Sequence, residues 1–215
     1  MDLMMDDPRR RRAEAPPGYP RQYERELRLP DGRTVLLRPI VPGDSGQLAD
    51  AIRTADPDTV RRRFLGTPPH LTPELLAHLC QVDYEKRFAL VATDARTGRG
   101  IAIARYEATG EGIAEVAVAV DPDWRRAGLA TALVEMLADA ALDRGIHTFS
   151  AYYLAVNSPV TALIGHAGAG GRQMIREGFA EAAVALDRAG VAAAVHDLGR
   201  EGDLPGSRAG HAGTA

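Results

Sequence analysis

Apolar positions in the middle of the chain fall into three short runs separated by polar turns. The runs cover residues 88–93, 100–108 and 113–120, and the turns between them, 94–98 and 109–112, contain glycine and polar side chains. Short apolar runs bounded by such turns are typical of consecutive antiparallel strands. The pattern therefore predicts a β-meander, preceded by another strand at residues 34–40, where the sequence TVLLRPI follows a Pro-Asp-Gly turn.

A helical period begins directly after the meander. Residues 126–144 place apolar side chains three or four positions apart, which predicts an amphipathic helix that ends at Gly145. The apolar face consists of Leu129, Leu133, Met136, Leu137 and Ala140. A strand is expected next, at residues 146–154, so that a strand, a helix and a second strand follow one another as a β-helix-β unit.

Shorter elements flank this unit on both sides. Helix starts are expected at Asp44 or Ser45, at Asp56-Pro57 and at Thr72-Pro73. A helix at 158–166 and a hairpin of residues 173–176 and 180–186 follow the unit. The order of elements predicts an α+β fold, in which a mixed central sheet of about seven strands is flanked by helices.

The two ends of the chain differ from the middle in composition. Residues 1–24 combine five of the prolines and glycines with many charges, and residues 189–215 are rich in glycine and alanine with few large apolar side chains. Such segments bury too little apolar surface to offset the entropy of ordering them. We therefore expect a disordered arm at 1–24, a folded domain at 25–188 and a flexible tail at 189–215.

Composition and charge exclude several classes of function. The chain has 215 residues and a net charge of −3, with acids and bases mixed along it, which argues against a nucleic-acid binder. The single cysteine, Cys80, falls on the apolar side of a predicted helix. The sequence contains no metal-ligand cluster, no apolar signal segment and no run of about 20 apolar residues that could span a membrane. These features predict a cytoplasmic protein without a metal, acting as a monomer or homodimer.

The junction between the third meander strand and the long helix is a candidate anion site. It consists of Arg125, Arg126, Ala127, Gly128, Leu129, Ala130 and Thr131. The first backbone N–H groups of a helix have no intrahelical partner and carry partial positive charge, so they suit a pyrophosphate. Gly128 and Ala130 leave room for close approach, and the two arginines add charge. The alternative is a tight strand–helix junction without a ligand.

The order Arg-Arg-Ala-Gly-Leu-Ala at 125–130 resembles the acetyl-CoA signature of the GNAT superfamily, Gln/Arg-x-x-Gly-x-Gly/Ala. The segments LLRPIVPGD, RRRFLG, LTPELLAHLCQVDYEKRFALVA and AEVAVAVDPDWRRAGLATALVEML resemble the catalytic domain of bacterial Pat-type protein lysine acetyltransferases. The resemblance implies the GNAT fold and acetyl-CoA as co-substrate. It also implies that the main chains of Val118 and Val120 pair with the pantetheine arm. Asn157 is expected either to contact the cofactor or to cap the helix that follows it.

Glu115 is the candidate general base. It is the only carboxylate in the apolar run AEVAVAV, whose neighbours are expected to desolvate it. Five residues separate it from Val120, roughly 17 Å of strand, which is comparable to an extended pantetheine arm. The resemblance agrees, because lysine acetyltransferases of the superfamily have a glutamate base at this strand position.

One position departs from the family pattern. Ile164 stands where many relatives have a tyrosine that protonates the leaving thiolate, and a Gly-Ala-Gly-Gly segment at 168–171 replaces the usual Gly-Phe. The acceptor is expected to be a protein lysine. One alternative is a small amine as the acceptor. Another is a catalytically inactive acetyl-CoA-binding module that acts through partners. Glu115 favours an enzyme, and Ile164 at the tyrosine position favours the inactive module.

Overall fold

A single mixed sheet of eight strands forms the centre of the protein. The computed structural model describes residues 15–65, 69–156 and 172–201. The strands are β1 Arg25–Arg28, β2 Thr34–Pro39, β3 Arg87–Asp94, β4 Gly100–Gly110, β5 Ile113–Val120, β6 Thr148–Leu154, β7 Arg172–Arg176 and β8 Phe179–Ala185. Their order across the sheet is β1-β2-β3-β4-β5-β6-β8-β7. Neighbouring strands are antiparallel except β5 and β6, which run parallel.

Five α-helices accompany the sheet within the described residues. They are α1 Ser45–Thr54, α2 Pro57–Phe64, α3 Pro73–Cys80, α4 Leu129–Asp143 and α5 Arg188–Glu201. Asp56 and Thr72 cap α2 and α3 by accepting hydrogen bonds from backbone N–H groups, as the sequence predicts. Helix α4 is the crossover that a parallel pair of strands requires, here between β5 and β6. The predicted α+β class and β-helix-β unit are confirmed.

The helices cover opposite faces of the sheet. Helix α4 packs its buried leucines on the face that carries Phe88 and Tyr106, whose rings stack at 5.7 Å. Helices α1 to α3 cover the other face, around Ile40, Cys80 and Ala89. We call this second face, which also carries alternate residues of β4 and β5, the cavity face. Cys80 is fully buried there, which agrees with its expected packing role.

The sheet has one strand more than the sequence predicts. Strand β1 was missed because its four residues, RELR, contain a single apolar side chain. Its only fully buried residue is Leu27, which is 2% exposed. The strand forms because β2 offers a complete antiparallel partner, from Arg25 opposite Leu37 to Arg28 opposite Thr34. Pairing with β2 thus stabilises a strand that the local apolar pattern does not predict.

Both predicted domain ends need correction. Tyr23 lies within the expected N-terminal arm, yet it is 2% exposed, its ring contacts Phe88 at 5.3 Å and its hydroxyl donates to Asp143 at 3.1 Å. The expected C-terminal tail begins with a helix instead, α5, whose Val191 is 7% exposed and joins the α4 core. The alanines around Val191 need little space, so a weakly apolar helix can still pack on α4. Residues 1–14 and 202–215 lie outside the described part.

Two further observations concern the described residues alone. None of their helices has the length and apolar character needed to cross a bilayer. Their histidine, cysteine, aspartate and glutamate side chains form no group of three or more that could hold a metal ion.

Candidate active site

Strands β5 and β6 separate in the middle of the sheet. Their ladder pairs Ile113 with Thr148, Ala114 with Phe149 and Glu115 with Ser150. Beyond Glu115, β5 continues to Val120 and β6 to Leu154, and the described residues contain no further pair between them. The result is a V-shaped opening whose vertex lies at Glu115 and whose mouth lies at the end of β5.

The free edge of β5 faces this opening. The N–H of Asp121 donates to Ile101 of β4 at 2.8 Å, so the main-chain groups of alternate residues, Val116, Val118 and Val120, point away from β4 and towards β6. The two strand positions nominated from the sequence, Val118 and Val120, therefore lie along the opening. The carbonyl of Val120 is already engaged, because it accepts from Arg125 Nε at 3.1 Å.

The turn after β5 presents backbone amides at the mouth of the opening. Arg126 and Gly128 adopt left-handed backbone conformations, with φ of 61° and 80°. Alternating backbone conformations of this kind form concave nests of N–H groups that bind anions. Gly128 is the N-cap of α4, and no side chain caps the helix. A Cβ at Gly128 would meet no atom within 4 Å, so the space above this position is open.

The residues of the turn divide into anchors and exposed positions. Ala127 and Leu129 are buried in the α4 core and hold the turn on the sheet. Arg126 and Gly128 are exposed, and Ala130 and Thr131 are half-buried on the first turn of α4. Arg125 was expected to add charge for an anion. Its guanidinium instead donates to Val120 and, through Nη2, to Thr59 Oγ1 of α2 at 2.5 Å, so its side chain ties the turn to the helices above the cavity face.

Glu115 stands at the vertex of the opening, on the cavity face. Residues two apart along a strand share a face, so Glu115 lies beside Ala117, which lines the cavity described below. The expectation that apolar neighbours bury the carboxylate is wrong: Glu115 is exposed. Its neighbours in the sequence point to the α4 side of the sheet, and their apolar surface does not cover the carboxylate.

A second carboxylate lies directly opposite Glu115. Glu107 of β4 is its cross-strand partner, and Glu107 Oε2 lies 3.3 Å from His78 Nε2 of α3. Directly opposed residues have Cβ atoms about 5 Å apart, and like charges in such a pair repel. Two carboxylates side by side therefore favour a cation, such as an ammonium group, at the vertex.

A cavity of about 770 Å³ lies on the cavity face beneath α1 and α2. Its floor is formed by side chains of β3, β4 and β5, among them Val91, Ile103, Arg105, Ala117 and Ala119. Its cover includes Leu48, Ile52, Val60, Arg63 and Phe64. The volume falls within the range of small-molecule sites.

Two arginines of this cavity were not recognised in the sequence. Burial lowers the pKa of Arg105, and burial together with the charge of Arg105 lowers the pKa of Arg63, which Glu115 opposes. Arg63, Arg105 and Glu115 are thus close enough to interact electrostatically. The available signal was Arg105 itself, a charged residue in the middle of the apolar run IAIARYEA.

Some predicted site residues lie outside the described part of the chain. Asn157, Ile164 and the glycine-rich segment at 168–171 all fall within residues 157–171, which are not described. The expectations for these positions stay predictions.

Comparison with known proteins identifies similar domains. The family model described as the acetyltransferase (GNAT) domain matches residues 34–170. Acetyltransferase PA5475 of Pseudomonas aeruginosa is 37% identical over 120 residues, covering 54% of this chain and 64% of that protein. Acetyltransferase Pat of Mycolicibacterium smegmatis is 31% identical over 140 residues, covering 64% of this chain and 42% of that protein. The chain thus spans less than two thirds of the length of either curated relative.

A solved structure extends the similarity to three dimensions. The GNAT domain of the S. lividans protein PAT superposes with a TM-score of 0.70 at 29% identity, covering 78% of this chain and 99% of that domain. This coverage takes in nearly the whole of the S. lividans domain.

Proposed function

Because the chain belongs to the GNAT acetyltransferase family, we propose that it is an N-acetyltransferase that moves an acetyl group from acetyl-CoA to the side-chain amine of a protein lysine. The observation that carries the proposal is the separation of β5 from β6 at Glu115, with a nest of backbone amides at the open end. One end of this opening suits a pyrophosphate and the other holds a carboxylate.

The opening suits the two parts of acetyl-CoA. Backbone amides of residues 126–131 and the side chain of Arg126 would hold the pyrophosphate. The main-chain groups of Val118 and the N–H of Val120 would pair with the pantetheine amides. The distance from Val120, at the end of β5, to Glu115 is roughly 17 Å at 3.3 Å per residue, about the length of the pantetheine arm. The thioester would then lie close to the vertex.

Glu115 would act as the general base. A lysine amine has a pKa of about 10.4, so it arrives as an ammonium and must lose a proton before it can attack. Glu107 and Glu115 would attract the ammonium to the vertex. Glu115 accepts one proton, and the neutral nitrogen forms a bond to the thioester carbon. The carbon–sulfur bond then breaks to release the thiolate of coenzyme A, and the second proton of the nitrogen passes to this thiolate or to water, which leaves the neutral amide. An exposed carboxylate can return its proton to water after each turnover.

The choice of a protein lysine rests on the resemblance to Pat-type enzymes, which the 31% and 29% identities to Pat proteins support. The cavity of about 770 Å³ favours a second candidate, a small-molecule amine, because a volume of this size can enclose a whole small substrate. Labelled acetyl-CoA added to a cell lysate separates the two acceptors, since label appears either in protein bands or in small molecules.

Substitution Glu115→Gln tests the base. We expect turnover to fall by roughly 10²–10⁴, the usual contribution of a positioned base, while calorimetry shows an unchanged affinity for acetyl-CoA. Glu111→Gln is the matched control, because Glu111 is an exposed carboxylate in the turn just before β5. Near-normal turnover of Glu115→Gln across the pH range would refute the base. Wild-type protein that binds acetyl-CoA but acetylates no amine would support the inactive binding module.

A further inference from the structure

The cavity beneath α1 and α2 contains a buried arginine whose terminal nitrogens lack hydrogen-bond acceptors among the described residues. Arg105 is 7% exposed, and its terminal nitrogens Nη1 and Nη2 have no hydrogen-bond partner among the described residues. Its cross-strand neighbours are alanines on both sides, Ala89 of β3 and Ala117 of β5, which offer no acceptor. The nearest carboxylate oxygen, Glu107 Oε2, is 3.9 Å from Nη2, beyond hydrogen-bonding distance.

A second arginine increases the positive charge at this place. Arg63 of α2 lines the same cavity. Burial lowers the pKa of Arg63, and the nearby charge of Arg105 lowers it further. Arginine stays protonated at any physiological pH, so neither side chain can relieve the repulsion by losing its proton. A buried guanidinium whose N–H groups lack acceptors is destabilising, and a second positive charge nearby adds repulsion.

Three acidic residues that line the cavity do not accept hydrogen bonds from Arg105. Asp44 is held by Arg38 at 2.7 Å, and Asp121 is held by Arg99 at 2.7 Å. Asp56 accepts from the N–H of Thr59 at 2.9 Å as the cap of α2. Each of these carboxylates has its own partner. Glu107 and Glu115 oppose the positive charge of the two arginines at longer range, but neither accepts a hydrogen bond from Nη1 or Nη2 of Arg105. What the described residues lack is therefore an acceptor for these two nitrogens.

We propose that Arg105, with Arg63, binds a carboxylate of the acceptor molecule whose amine lies at Glu115. Arg105 and Glu115 are diagonal neighbours on the cavity face, because Arg105 is opposite Ala117 and Glu115 is two residues before it. Diagonal neighbours have Cβ atoms about 7–8 Å apart. An amine and a carboxylate on one small aliphatic chain, or on adjacent residues of a peptide, can span this separation.

This inference rests on the proposed function, because it places the acceptor amine beside Glu115. It adds the chemical class of the acceptor: an amine accompanied by a carboxylate. It also accounts for a destabilising feature of the fold, since buried N–H groups that lack acceptors in the free protein gain them when the acceptor is bound. Residues kept for binding at the expense of stability are common in functional sites.

Aminocarboxylates test the site directly. A series of ω-amino acids with three to six carbons varies the spacing between amine and carboxylate. Their primary amides remove the negative charge of the carboxylate without changing the amine. For the chain length that is acetylated best, we expect kcat/KM of the acid to exceed that of its amide by at least about tenfold, because the acid has the lower KM. Arg105→Met should abolish the preference. Arg188→Met is the matched control, because Arg188 lies on α5 outside the cavity and is paired with Asp143 at 3.1 Å.

A peptide arm identifies the source of the carboxylate. Amidated lysine peptides with aspartate or asparagine next to the lysine are compared in the same assay. An Arg105-dependent preference for aspartate indicates a polypeptide acceptor. A preference confined to the ω-amino acids indicates a small-molecule acceptor that carries both the amine and the carboxylate. Absence of any carboxylate preference in both arms overturns the inference. So does an Arg105-dependent preference for succinyl-CoA over acetyl-CoA, which would assign the carboxylate to the acyl donor.

Two readouts separate this inference from the proposed function. Calorimetry with an ω-amino acid and coenzyme A measures binding without turnover: Arg105-dependent binding in a protein that never acetylates supports the site and refutes the function. Thermal unfolding provides an independent test, because Arg105→Met removes buried N–H groups that lack acceptors and should raise Tm by about 5 °C. A fall in Tm would show that Arg105 is already hydrogen-bonded in the free protein and would overturn the inference.

Discussion

The cofactor side and the acceptor side of the proposed site are built in opposite ways. At the turn before α4, the chain presents backbone amides, and the side chains of Ala127 and Leu129 are buried as simple anchors. At the cavity face, side chains supply the chemistry, and Arg63, Arg105 and Glu115 come from three different elements. One side depends on local backbone conformation and the other on the register of the sheet.

The difference explains how each side can change during evolution. A nest of amides at a helix start binds pyrophosphate whatever side chains surround it, provided that the left-handed conformations persist. An acceptor site built from side chains on a sheet face changes specificity with single substitutions. Domains of this family can thus keep one cofactor while their acceptors differ.

The largest effect is expected on the cofactor side. Gly128→Glu places a carboxylate in the open space above the N-cap of α4, where it repels a pyrophosphate, and forces a side chain into a left-handed conformation. We expect acetyl-CoA affinity to fall by at least about 100-fold, equivalent to about 2.7 kcal/mol. Calorimetry measures it. Gly128→Asn is the control, since asparagine tolerates this conformation and is uncharged; unchanged binding by Gly128→Glu would move the cofactor elsewhere.

A smaller effect should come from the support of the cofactor side. Deletion of residues 188–215 removes α5, whose Val191 packs into the α4 core, whereas deletion of 202–215 leaves this helix in place. Loss of one buried valine costs about 2 kcal/mol, so the longer deletion should lower Tm by roughly 4–8 °C. The shorter deletion should leave Tm unchanged. Equal Tm values for the two truncated proteins would show that α5 does not support α4.

A third effect concerns the acceptor side, at Cys80. Burial raises the pKa of this thiol to about 11, so little thiolate exists at pH 8. Alkylation by iodoacetamide should be about 100-fold slower in the folded protein than in guanidinium, because the thiolate is the reactive form. Mass spectrometry follows the reaction. Equally fast alkylation in both states would show that the cavity face opens readily in solution.

Local patterns in the sequence predicted the elements that build the proposed cofactor side. The apolar runs of the meander, the period of α4 and the small residues of the turn lie within one stretch of chain, so a single pass along the sequence finds them. Glu115 was placed correctly on β5, but its exposure was not predicted, because burial depends on what covers the cavity face rather than on neighbours in the sequence.

The acceptor side could not be assembled in the same way. Arg63 and Arg105 are 42 positions apart in the numbering, and only the register of β4 against β5 brings Arg105 beside Ala117 and near Glu115. Strand β1 and helix α5 were missed for a related reason: each is too short or too weakly apolar to be stable alone, and each forms against a partner that the sequence does not reveal.

The parallel pair β5–β6 also has a consequence for the order of folding. Strands β3, β4 and β5 are joined by tight turns, so their contacts are local and can form early. Strand β6 can join only after the 15-residue helix α4 has crossed over, and it gains three ladder pairs with β5 when it does. The loop-closure entropy of that crossover is offset by few hydrogen bonds. The strands on either side of the opening are therefore expected to behave as separate folding units that meet late, at the vertex where Glu115 lies.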